Sequence, residues 1–431
     1  MQLKFIKIKK EKGYVAFFVT ILVLSALMGI AISIVILTLS IQKISANIIK
    51  SSQAYYAAEA GIEDSLLRIF DPSKGGYVSP NTLSVGGATA NITIEKVSTS
   101  LTIESQGNAS GRIRKLKVKA LITSDEANFY YGVQVGDGGL VLGNSGARIK
   151  GNVFSNGNIV VAGGGKCVET CIDNSVIVAN NGNWIDGLIV GENATVHTCF
   201  NSDIAGELTY VSGGSYGSCT YGFPVKEKPD EIDPIPLPIS SIKIQEWKDD
   251  ASENVFTGNY ILDVGDSAEL GPMQIQGNLT VENNAHLTLK GTIYVTGNII
   301  FKQGAIIDLD VGSYNYFSGV VIADNIITVE NGVSLNGTGE EGSYILVISE
   351  SNSLDPAIPA IFVGNTAQGA IFYTNYGLIR LNNNMFAREV TGYKVWINNN
   401  AVIEYESGLE NPNFISGPGG GWKIDSWEEI E

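Results

Sequence analysis

The feature that most constrains this chain is a run of 28 residues, from Tyr14 to Ile41, that contains no charged side chain. As an α-helix it would be roughly 42 Å long, at about 1.5 Å per residue. The hydrocarbon core of a bilayer is about 30 Å thick, so such a helix can span it with some tilt. We therefore expect a membrane span here, with nearly all of the remaining chain on one side of the membrane.

The helical pattern continues past this run and ends at Asp71-Pro72, with no proline inside it. After Ile41 the apolar residues thin to one stripe, whose members recur at steps of three and four and their sums and so share one helix face. We predict a single helix over 14–70, with its first half in lipid and its second half lying on a soluble domain. The stripe consists of Ile41, Ile44, Ile48, Tyr55, Ala58, Ile62, Leu66 and Ile69.

Residues 1–13 form a basic leader that contains five lysines and one glutamate. Positive charge beside a membrane span stays cytoplasmic, so the leader should be cytoplasmic and the bulk of the chain exported. A secretory signal peptide is the alternative, but its apolar run is usually about 7–15 residues and ends in small residues. The longer run favours an anchor that is uncleaved or is cleaved only near its start.

Two segments carry a resemblance to a known family. Residues 10–18, KEKGYVAFF, resemble the start of a type IV prepilin, and residues 54–61, AYYAAEAG, are similar to the AAEA segment of PilX-type minor pilins. The resemblance covers residues 1–70 well and 71–124 loosely. It implies that a prepilin peptidase cuts between Gly13 and Tyr14, and that the helix then packs among other pilin subunits.

One position departs from the family. Most major pilins carry glutamate at mature position five, where it pairs with the N-terminal amine of a neighbour, but Phe18 stands there in this sequence. Some minor pilins also lack this glutamate. The resemblance thus implies a minor pilin and speaks against a bulk filament subunit.

Composition indicates a turn-rich β protein outside the helix. The chain has 431 residues, 50 of them glycine, and only 17% are charged, which fits roughly two or three domains. Removal of the leader leaves a net charge of −20. A surface this acidic repels nucleic acid, so no nucleic-acid partner is expected.

A small antiparallel sheet is predicted within the domain 71–127. A loop over 71–80 precedes segments that alternate apolar and polar residues up to Ser124. The strand at 115–120 places three lysines on one face and apolar groups on the other. We interpret the lysines as a solvated face, and a basic stripe that meets an acidic neighbour in an assembly is the alternative. The apolar face is the natural partner of the helix stripe.

From residue 128 onward, short β-branched runs recur, and many begin with Gly-Asn or an equivalent. Gly277, Gly291 and Gly297 each begin such a run, and the step from the first to the third is 20 residues. Turns at near-constant spacing favour stacked coils, in which inward Ile, Val and Leu form one column. Asn and Gly supply left-handed corners, and stacked Asn side chains can bond up and down the stack. We therefore predict a mainly β domain, a parallel β-helix or solenoid in two parts, 128–223 and 256–431, with a β-sandwich as the alternative.

An insertion over 224–255 separates these two parts. Five prolines between residues 222 and 240 predict an extended excursion. Ser240-Ser241 then begins a short capped helix up to Ala251, which we expect to plug or cover the coils. At the C-terminus, Trp422 and Trp427 are expected to cap the end of the second part, and an exposed aromatic recognition patch is the alternative.

The four cysteines fall within one stretch of the exported part. In an oxidising exterior disulfides are the default, and four cysteines allow three pairings among which the sequence does not choose. A metal site that combines the thiolates with His197 is the alternative, although the spacings lack the paired C-x-x-C of zinc ribbons. We expect no metal and no cofactor. The cysteines are Cys167, Cys171, Cys199 and Cys219.

Little in the sequence indicates catalysis. The two histidines, His197 and His286, lie near no nucleophile motif. Asp308 and Asp310 share one face of a strand, as carboxylates do in some polysaccharide-cleaving β-helices, but such pairs are common at turns and a weak Ca²⁺ site fits as well. We expect a protein that is not an enzyme.

These observations predict a minor pilin-like protein, acting at the tip or in priming, that displays an extracellular β-helical head. The head would prime assembly or adhere to a surface glycan or protein. The expected partners are the membrane, a prepilin peptidase and other pilin subunits. Three alternatives stay open: a static single-pass scaffold that keeps residues 1–13, a polysaccharide-active enzyme that uses Asp308 and Asp310, and a binding module for cations.

Overall fold

The structure is a computed structural model that describes residues 12–70, 81–97, 100–122, 129–406, 409, 414 and 422–430. Most of the leader and the loop predicted over 71–80 lie outside these residues. The chain divides into two compact units. The first holds the N-terminal helix to Ser65, the early strands to Lys119 and the chain end from Asp425, and the second holds nearly all of the rest.

A single helix, α1, runs from Lys12 to Phe70 over 59 residues, which confirms the helix predicted over 14–70. Its uncharged part has exposed side chains throughout. Among the described residues, one helix, Tyr14–Arg68, is long and apolar enough to cross a membrane, with a mean hydropathy of 2.7.

The first unit contains one sheet of five strands, in the order β1-β2-β3-β4-β36, where strands are numbered along the chain. The first three pair antiparallel, so the predicted small antiparallel sheet is present. The strands are β1 (Asn81–Val85), β2 (Ala88–Val97), β3 (Ser100–Ala109), β4 (Arg112–Ile122) and β36 (Trp422–Ile430).

The position of β36 corrects the prediction for the C-terminus. The expected tryptophan end cap is wrong, because residues 422–430 form a strand beside β4. Charge complementarity accounts for this, since β4 is basic and β36 is acidic. Arg114 Nη1 lies 2.8 Å from Glu429 Oε1, and the pKa of Lys117 is raised first by its hydrogen bond to Glu104 and to a lesser degree by Glu428. An acidic neighbour for the basic stripe is therefore found within the same chain.

Small residues bring α1 close to the sheet. Ala54, Ala57 and Ala58 are at most 1% exposed. A Cβ added to Gly107 of β3 would lie 1.8 Å from the carbonyl oxygen of Ala54, and one added to Gly61 would lie 2.4 Å from the hydroxyl of Ser105. The segment 54–61 is thus a part of the helix whose backbone lies directly against the sheet.

We predict that Gly107→Ala destabilises the first unit by about 3 kcal/mol or more, because the new methyl group overlaps a helix carbonyl and the backbones must separate. Chemical denaturation of the detergent-solubilised chain measures this loss. The control is Gly217→Ala, where an added Cβ meets nothing within 4 Å. Equal stability of the two variants would contradict the close approach.

The second unit consists mainly of parallel strands, as its largest sheet has 21 strands and three smaller sheets have three or four. The 21 strands are β5 (Val133–Leu142), β7 (Val153–Ser155), β8 (Ile159–Val161), β9 (Val176–Val178), β10 (Trp184–Asp186), β12 (Ala194–Val196), β13 (Thr198–Phe200), β15 (Leu208–Val211), β17 (Lys226–Lys228), β18 (Val255–Thr257), β19 (Tyr260–Leu262), β21 (Met273–Gln276), β22 (Leu279–Val281), β24 (Ile293–Val295), β25 (Ile299–Phe301), β27 (Gly319–Ala323), β28 (Ile327–Val329), β30 (Ile345–Ser349), β31 (Ile361–Val363), β32 (Ile371–Leu381) and β34 (Glu389–Ile397).

The smaller sheets are also built by parallel pairing. Their strands are β11 (Ile189–Val190), β14 (Asp203–Ile204) and β16 (Thr220–Tyr221) in one sheet; β20 (Ser267–Leu270), β23 (His286–Leu289), β26 (Ile306–Leu309) and β29 (Ser334–Asn336) in another; and β6 (Arg148–Lys150), β33 (Phe386–Ala387) and β35 (Val402–Glu404) in the third.

Parallel pairing aligns apolar residues into continuous buried columns. Leu279 pairs with Ile299, which pairs with Ile327, and the series continues through both parts of the unit. Each member is at most 1% exposed, so neighbouring strands bury their apolar side chains in one shared core. The column consists of Leu279, Ile299, Ile327, Ile361, Ile379, Val395, Leu140, Ile159, Ile185 and Cys199.

Asparagine side chains join successive turns, as the sequence predicted. The Oδ1 atom of Asn259 accepts a hydrogen bond of 2.9 Å from the backbone N–H of Asn278, and Asn278 Oδ1 accepts one of 2.8 Å from Asn298 N–H. Other corners place asparagine in the left-handed region, for example Asn384 and Asn400 at φ 57°. Asparagine tolerates this conformation better than most residues, which explains its recurrence at turns.

The two predicted parts of the second unit form one sheet, but not in chain order. The first strand of the earlier part, β5, pairs on one side with β7 and β8 and on the other with β34 of the later part. The chain therefore enters this sheet in its middle, extends it in one direction up to β17, and later returns to the starting strand.

A proline-rich segment, which we call the strap (residues 229–240), makes this return possible. It begins later than predicted, because Lys226–Lys228 still pairs with β15 as β17. Hydrogen bonds to side chains or backbone of earlier and later coils fix it along the sheet. Its partners, in chain order of the strap, are Asn180, Asn156, Gln134 and Tyr373.

The predicted capped helix follows the strap as α2 (Ser241–Ala251), and the hydroxyl of Ser240 accepts a hydrogen bond from Lys243 N–H at its start. Its buried Ile244 and Trp247 join a cluster with apolar residues on the outer face of the long sheet. The helix covers the side of the sheet, which was one of the two expected positions. A one-turn helix, α3 (Val311–Tyr314), lies further along the chain.

Candidate functional site

The uncharged part of α1 offers the largest apolar surface of the described chain. Its large side chains are about half exposed or more, for example Leu22 at 70% and Leu37 at 64%. The hydroxyls among them bond to carbonyls of the helix itself, such as Thr20 to Ala16 at 3.0 Å. Such a helix leaves few polar groups unsatisfied in lipid or against another apolar helix.

All serines and threonines in the uncharged part of α1 donate hydrogen bonds to the backbone of the helix itself. Each donates to a carbonyl three or four residues earlier, at 2.8–3.0 Å. The donors are Thr20, Ser25, Ser33, Thr38 and Ser40.

The predicted processing site lies at the start of this helix. Gly13 and Tyr14 are both helical, and Phe18 is 61% exposed with its ring centroid 5.9 Å from that of Tyr14. An exposed aromatic ring offers no charge to pair with an amine. The position-five interaction of major pilins therefore has no equivalent at Phe18.

All four cysteines are in disulfides, and the structure selects one of the three possible pairings. Cys167 bonds to Cys171 and Cys199 bonds to Cys219. With every thiol of the chain bonded, the alternative of a thiolate metal site finds no support. Among the described residues, no group of three or more His, Cys, Asp or Glu side chains could hold a metal ion.

His197 has contacts of its own away from the sulfur atoms. Its Nδ1 lies 2.9 Å from the hydroxyl of Thr198, and its Nε2 lies 3.6 Å from a carboxylate oxygen of Glu231 in the strap. These contacts connect a coil of the earlier part to the segment that leads back along the sheet.

The carboxylates of Asp308 and Asp310 have different hydrogen-bond partners. Asp308 Oδ2 lies 2.7 Å from His286 Nε2, and its Oδ1 accepts a 2.7 Å hydrogen bond from Asn336. Asp310 instead caps α3, because its Oδ2 accepts hydrogen bonds from the backbone and hydroxyl of Ser313. The two carboxylates thus have separate hydrogen-bond partners.

The contacts of Asp308 cross to both neighbouring strands of the four-stranded sheet. Asn336 on β29 is directly opposite Asp308 on β26. His286 on β23 is opposite Ile306 and reaches Asp308 diagonally. Polar groups on adjacent parallel strands meet on the outer face, since the alternate residues Leu287 and Ile307 are buried. We read the three side chains as a cross-strand ladder that stabilises the sheet.

The sequence did not reveal the charged cluster beneath α2. The Lys248 side chain is only 9% exposed and its ammonium lies 2.5 Å from Asp324 Oδ1, with Glu350 as a second partner. It also lies 4.8 Å from the ring centroid of Tyr294. Burial acts to lower the pKa of Lys248, but the two carboxylates outweigh it and leave the pKa raised.

Tyr294 belongs to the same cluster. Its hydroxyl donates a 2.8 Å hydrogen bond to Asp324 Oδ2. Burial and this hydrogen bond raise the pKa of Tyr294 to about 12. The position of Lys248 on the buried face of α2 was readable from helical spacing with Ile244 and Ala251, but its partners lie about 75 and 100 residues further along the chain.

We predict that Lys248→Met lowers the free energy of unfolding by about 2 kcal/mol, because Asp324 and Glu350 then face each other without a cation. The loss of stability stays below that expected for a fully buried ion pair, because both carboxylates are roughly a third exposed. Denaturant unfolding measures it. The triple variant that adds Asp324→Asn and Glu350→Gln should recover most of the loss, and a triple variant as unstable as the single one would contradict this account.

A second buried ionisable group is Glu389 of β34. It is fully buried, and one carboxylate oxygen accepts a hydrogen bond of 2.5 Å from Thr391. Its other oxygen, Oε2, has no hydrogen-bond partner among the described residues. Burial raises the pKa of Glu389 well above its ordinary value, against the smaller lowering by Thr391.

We predict that Glu389→Gln stabilises the protein increasingly as pH rises from about 4.5. Because the native pKa is raised, the native state holds its proton where the unfolded carboxyl has lost it, so stability is full below pH 4.5 and falls up to the native pKa. The advantage of the variant should grow by about 1.4 kcal/mol per pH unit in that window. Urea unfolding at several pH values tests this, with the exposed Glu340→Gln as control, and an advantage independent of pH would refute it.

Comparisons with known proteins complete this description. A scan of the sequence against protein-family models finds no match. A search of curated proteins also finds none. Among solved structures, one similar chain is the competence-associated pilin ComZ from Thermus thermophilus, at 10% identity, with 88% of this chain and 97% of that chain covered and a TM-score of 0.28. A likeness at this TM-score carries no argument about this chain.

Proposed function

We propose that this chain is a membrane-anchored, type IV pilin-like protein. The observation that carries the proposal is the continuity of α1. One uninterrupted helix has an exposed, uncharged first part, and its second part packs on a small antiparallel sheet through Ala54, Ala57 and Gly61. These residues belong to the segment that resembles PilX-type minor pilins.

The proposal assigns the second unit to an exported head with a parallel β-helix fold. Parallel strand pairing, shared buried columns and asparagine corners support this assignment. Two disulfides also fit an oxidising exterior. The head lies on the cell surface after processing, and the basic residues 1–13 stay cytoplasmic.

Phe18 supports a minor role, in priming assembly or at a filament tip. A bulk subunit would need a carboxylate at this position to pair with the amine of its neighbour, and an exposed phenyl ring supplies only apolar contact. Adhesion of the head to a surface glycan or protein is the expected activity. Catalysis is not proposed, because Asp308 and Asp310 have separate structural partners.

Phe18 also favours a second candidate function. Without the position-five carboxylate, α1 can remain in the bilayer as a permanent anchor, and the head would then be a static surface scaffold. The two candidates differ in the fate of the leader, since only a pilin-like protein is cut after Gly13.

We predict that the protein isolated from membranes of its native host begins at Tyr14. Intact mass and N-terminal peptide sequencing test this directly. A bulky charged residue at the cleavage position, in Gly13→Glu, should leave the leader attached. Gly29→Ala, in the same helix with nothing within 4 Å of the new methyl group, should be processed normally.

A start at Met1 in the unaltered protein would remove the pilin-like proposal in favour of the static scaffold. Processing of Gly13→Glu at the normal position would show instead that a different peptidase acts on this chain.

A further inference from the structure

The first unit separates its charges along the sheet. The β1–β2 turn at Gly86-Gly87 and the β3–β4 turn at Ser110-Gly111 lie at the same end, because Thr89 pairs with Asn108. No acidic residue occurs in 81–94 or 105–114, whereas Arg112 directly follows the second turn. Within β1–β4 this end of the sheet is therefore basic, although the whole chain has a net charge of −16. The carboxylate that β36 brings beside it, Glu429, is paired with Arg114.

Hydrogen bonds fix the height of this end along α1. The guanidinium of Arg112 donates from Nη2 and Nε to Asn47 Oδ1, at 2.9 and 3.3 Å. Asn47 lies six residues beyond Ile41, the last residue of the uncharged run, which is about 9 Å along a helix. The headgroup layer of a bilayer extends roughly 5–8 Å beyond the hydrocarbon core. Long basic side chains at this height reach that layer.

The helix adds two cations on either side of this height, about 6 Å before Asn47 and about 4.5 Å after it along the axis. Lys43 and Lys50 are seven residues apart, nearly two turns, so they project from one side of α1. The first acidic residue of the helix, Glu59, comes only later. Arg114 does not contribute, because it is paired with Glu429. We call Lys43, Lys50 and Arg112 the basic collar.

Apolar side chains accompany the collar. Ile113, the residue after Arg112, is 51% exposed at the hairpin tip, and Ile44 and Ile48 on the helix are 59% and 61% exposed. The tip itself is a two-residue turn in which Ser110 and Gly111 both have positive φ, at 49° and 84°, so it is narrow and rigid. Cations beside exposed apolar groups are typical of surfaces that rest on a lipid interface.

We infer that the basic collar and the β3–β4 hairpin dock on the anionic phosphate headgroups of the leaflet on the exported side. This rests on the proposal that Tyr14–Ile41 spans the membrane. The lysines and Arg112 contact phosphate oxygens, and Ile113 enters the interface from the opposite face of the strand. The hairpin thereby fixes the rotation of α1 about its own axis relative to the membrane surface, because Arg112 is bonded to one side of the helix.

A fluorescent label at the hairpin tip tests the inference on the full chain. All four native cysteines are in disulfides, so Ile113→Cys provides a unique thiol for an environment-sensitive dye. The protein is placed in nanodiscs of phosphatidylcholine alone or with about one quarter phosphatidylglycerol. Emission from position 113 should shift to shorter wavelength with the anionic lipid, and about 0.5 M salt should reverse the shift by screening.

Two sets of variants give the matched comparison. Lys43→Gln with Lys50→Gln should lower the ratio of docked to undocked hairpin by about 10-fold. Lys166→Gln with Lys226→Gln removes the same charge from the second unit and should change nothing. The dye at Ile242→Cys, an exposed position on α2, should not respond to lipid composition.

The outcomes distinguish a failure of the docking inference from a failure of the proposed membrane span. Equal emission at position 113 in both kinds of nanodisc, from protein that floats with the lipid, overturns the docking and leaves the membrane span intact. Protein that does not float with lipid overturns both. Inorganic phosphate added to phosphatidylcholine nanodiscs should not reproduce the shift, and a shift with free phosphate would mean that the collar binds the anion and not the membrane surface.

Discussion

The parallel pairing of β34 with β5 is the interaction on which the second unit depends. It joins the coils made first to the coils made last, so that the buried column from Leu279 to Cys199 passes through both without a break. Without it, each part would expose the backbone groups of one edge and the apolar ends of its columns. The strap makes this pairing possible, because it carries the chain back along the sheet. The later strands can then end with β34 beside β5.

The strap and α2 determine which polar groups are buried. They cover the outer face of the long sheet, where residues of the strands would otherwise meet water. Lys248 is compensated there by two carboxylates, whereas Glu389 has a partner for only one of its oxygens. The outer face of the sheet thus contains one buried ionisable group that is fully paired, Lys248, and one that is only partly hydrogen-bonded, Glu389. Glu389 is the source of the expected pH dependence.

Local signals predicted much of this architecture. The uncharged run gave α1, and Gly-Asn corners gave the short strands and the asparagine bonds, because both depend on residues close in sequence. Contacts between distant segments were not predictable. Nothing in 422–430 showed that it would pair with β4, and nothing near Glu389 in the sequence showed that its side chain would be fully buried. The disulfide pairing likewise required the positions of the coils.

The sheet edges at β5 and β4 both receive their partner strands late in synthesis. The edge of β5 receives β34 only after some 250 further residues, and the edge of β4 receives β36 from the last residues of the chain. A chain that is synthesised from its N-terminal side therefore carries two unpaired strand edges until β34 and β36 have been made. Such edges pair readily with other chains. The yield of correctly folded protein should thus depend on β34 and β36, and deletion of residues 422–430 should harm the first unit more than their distance in sequence suggests.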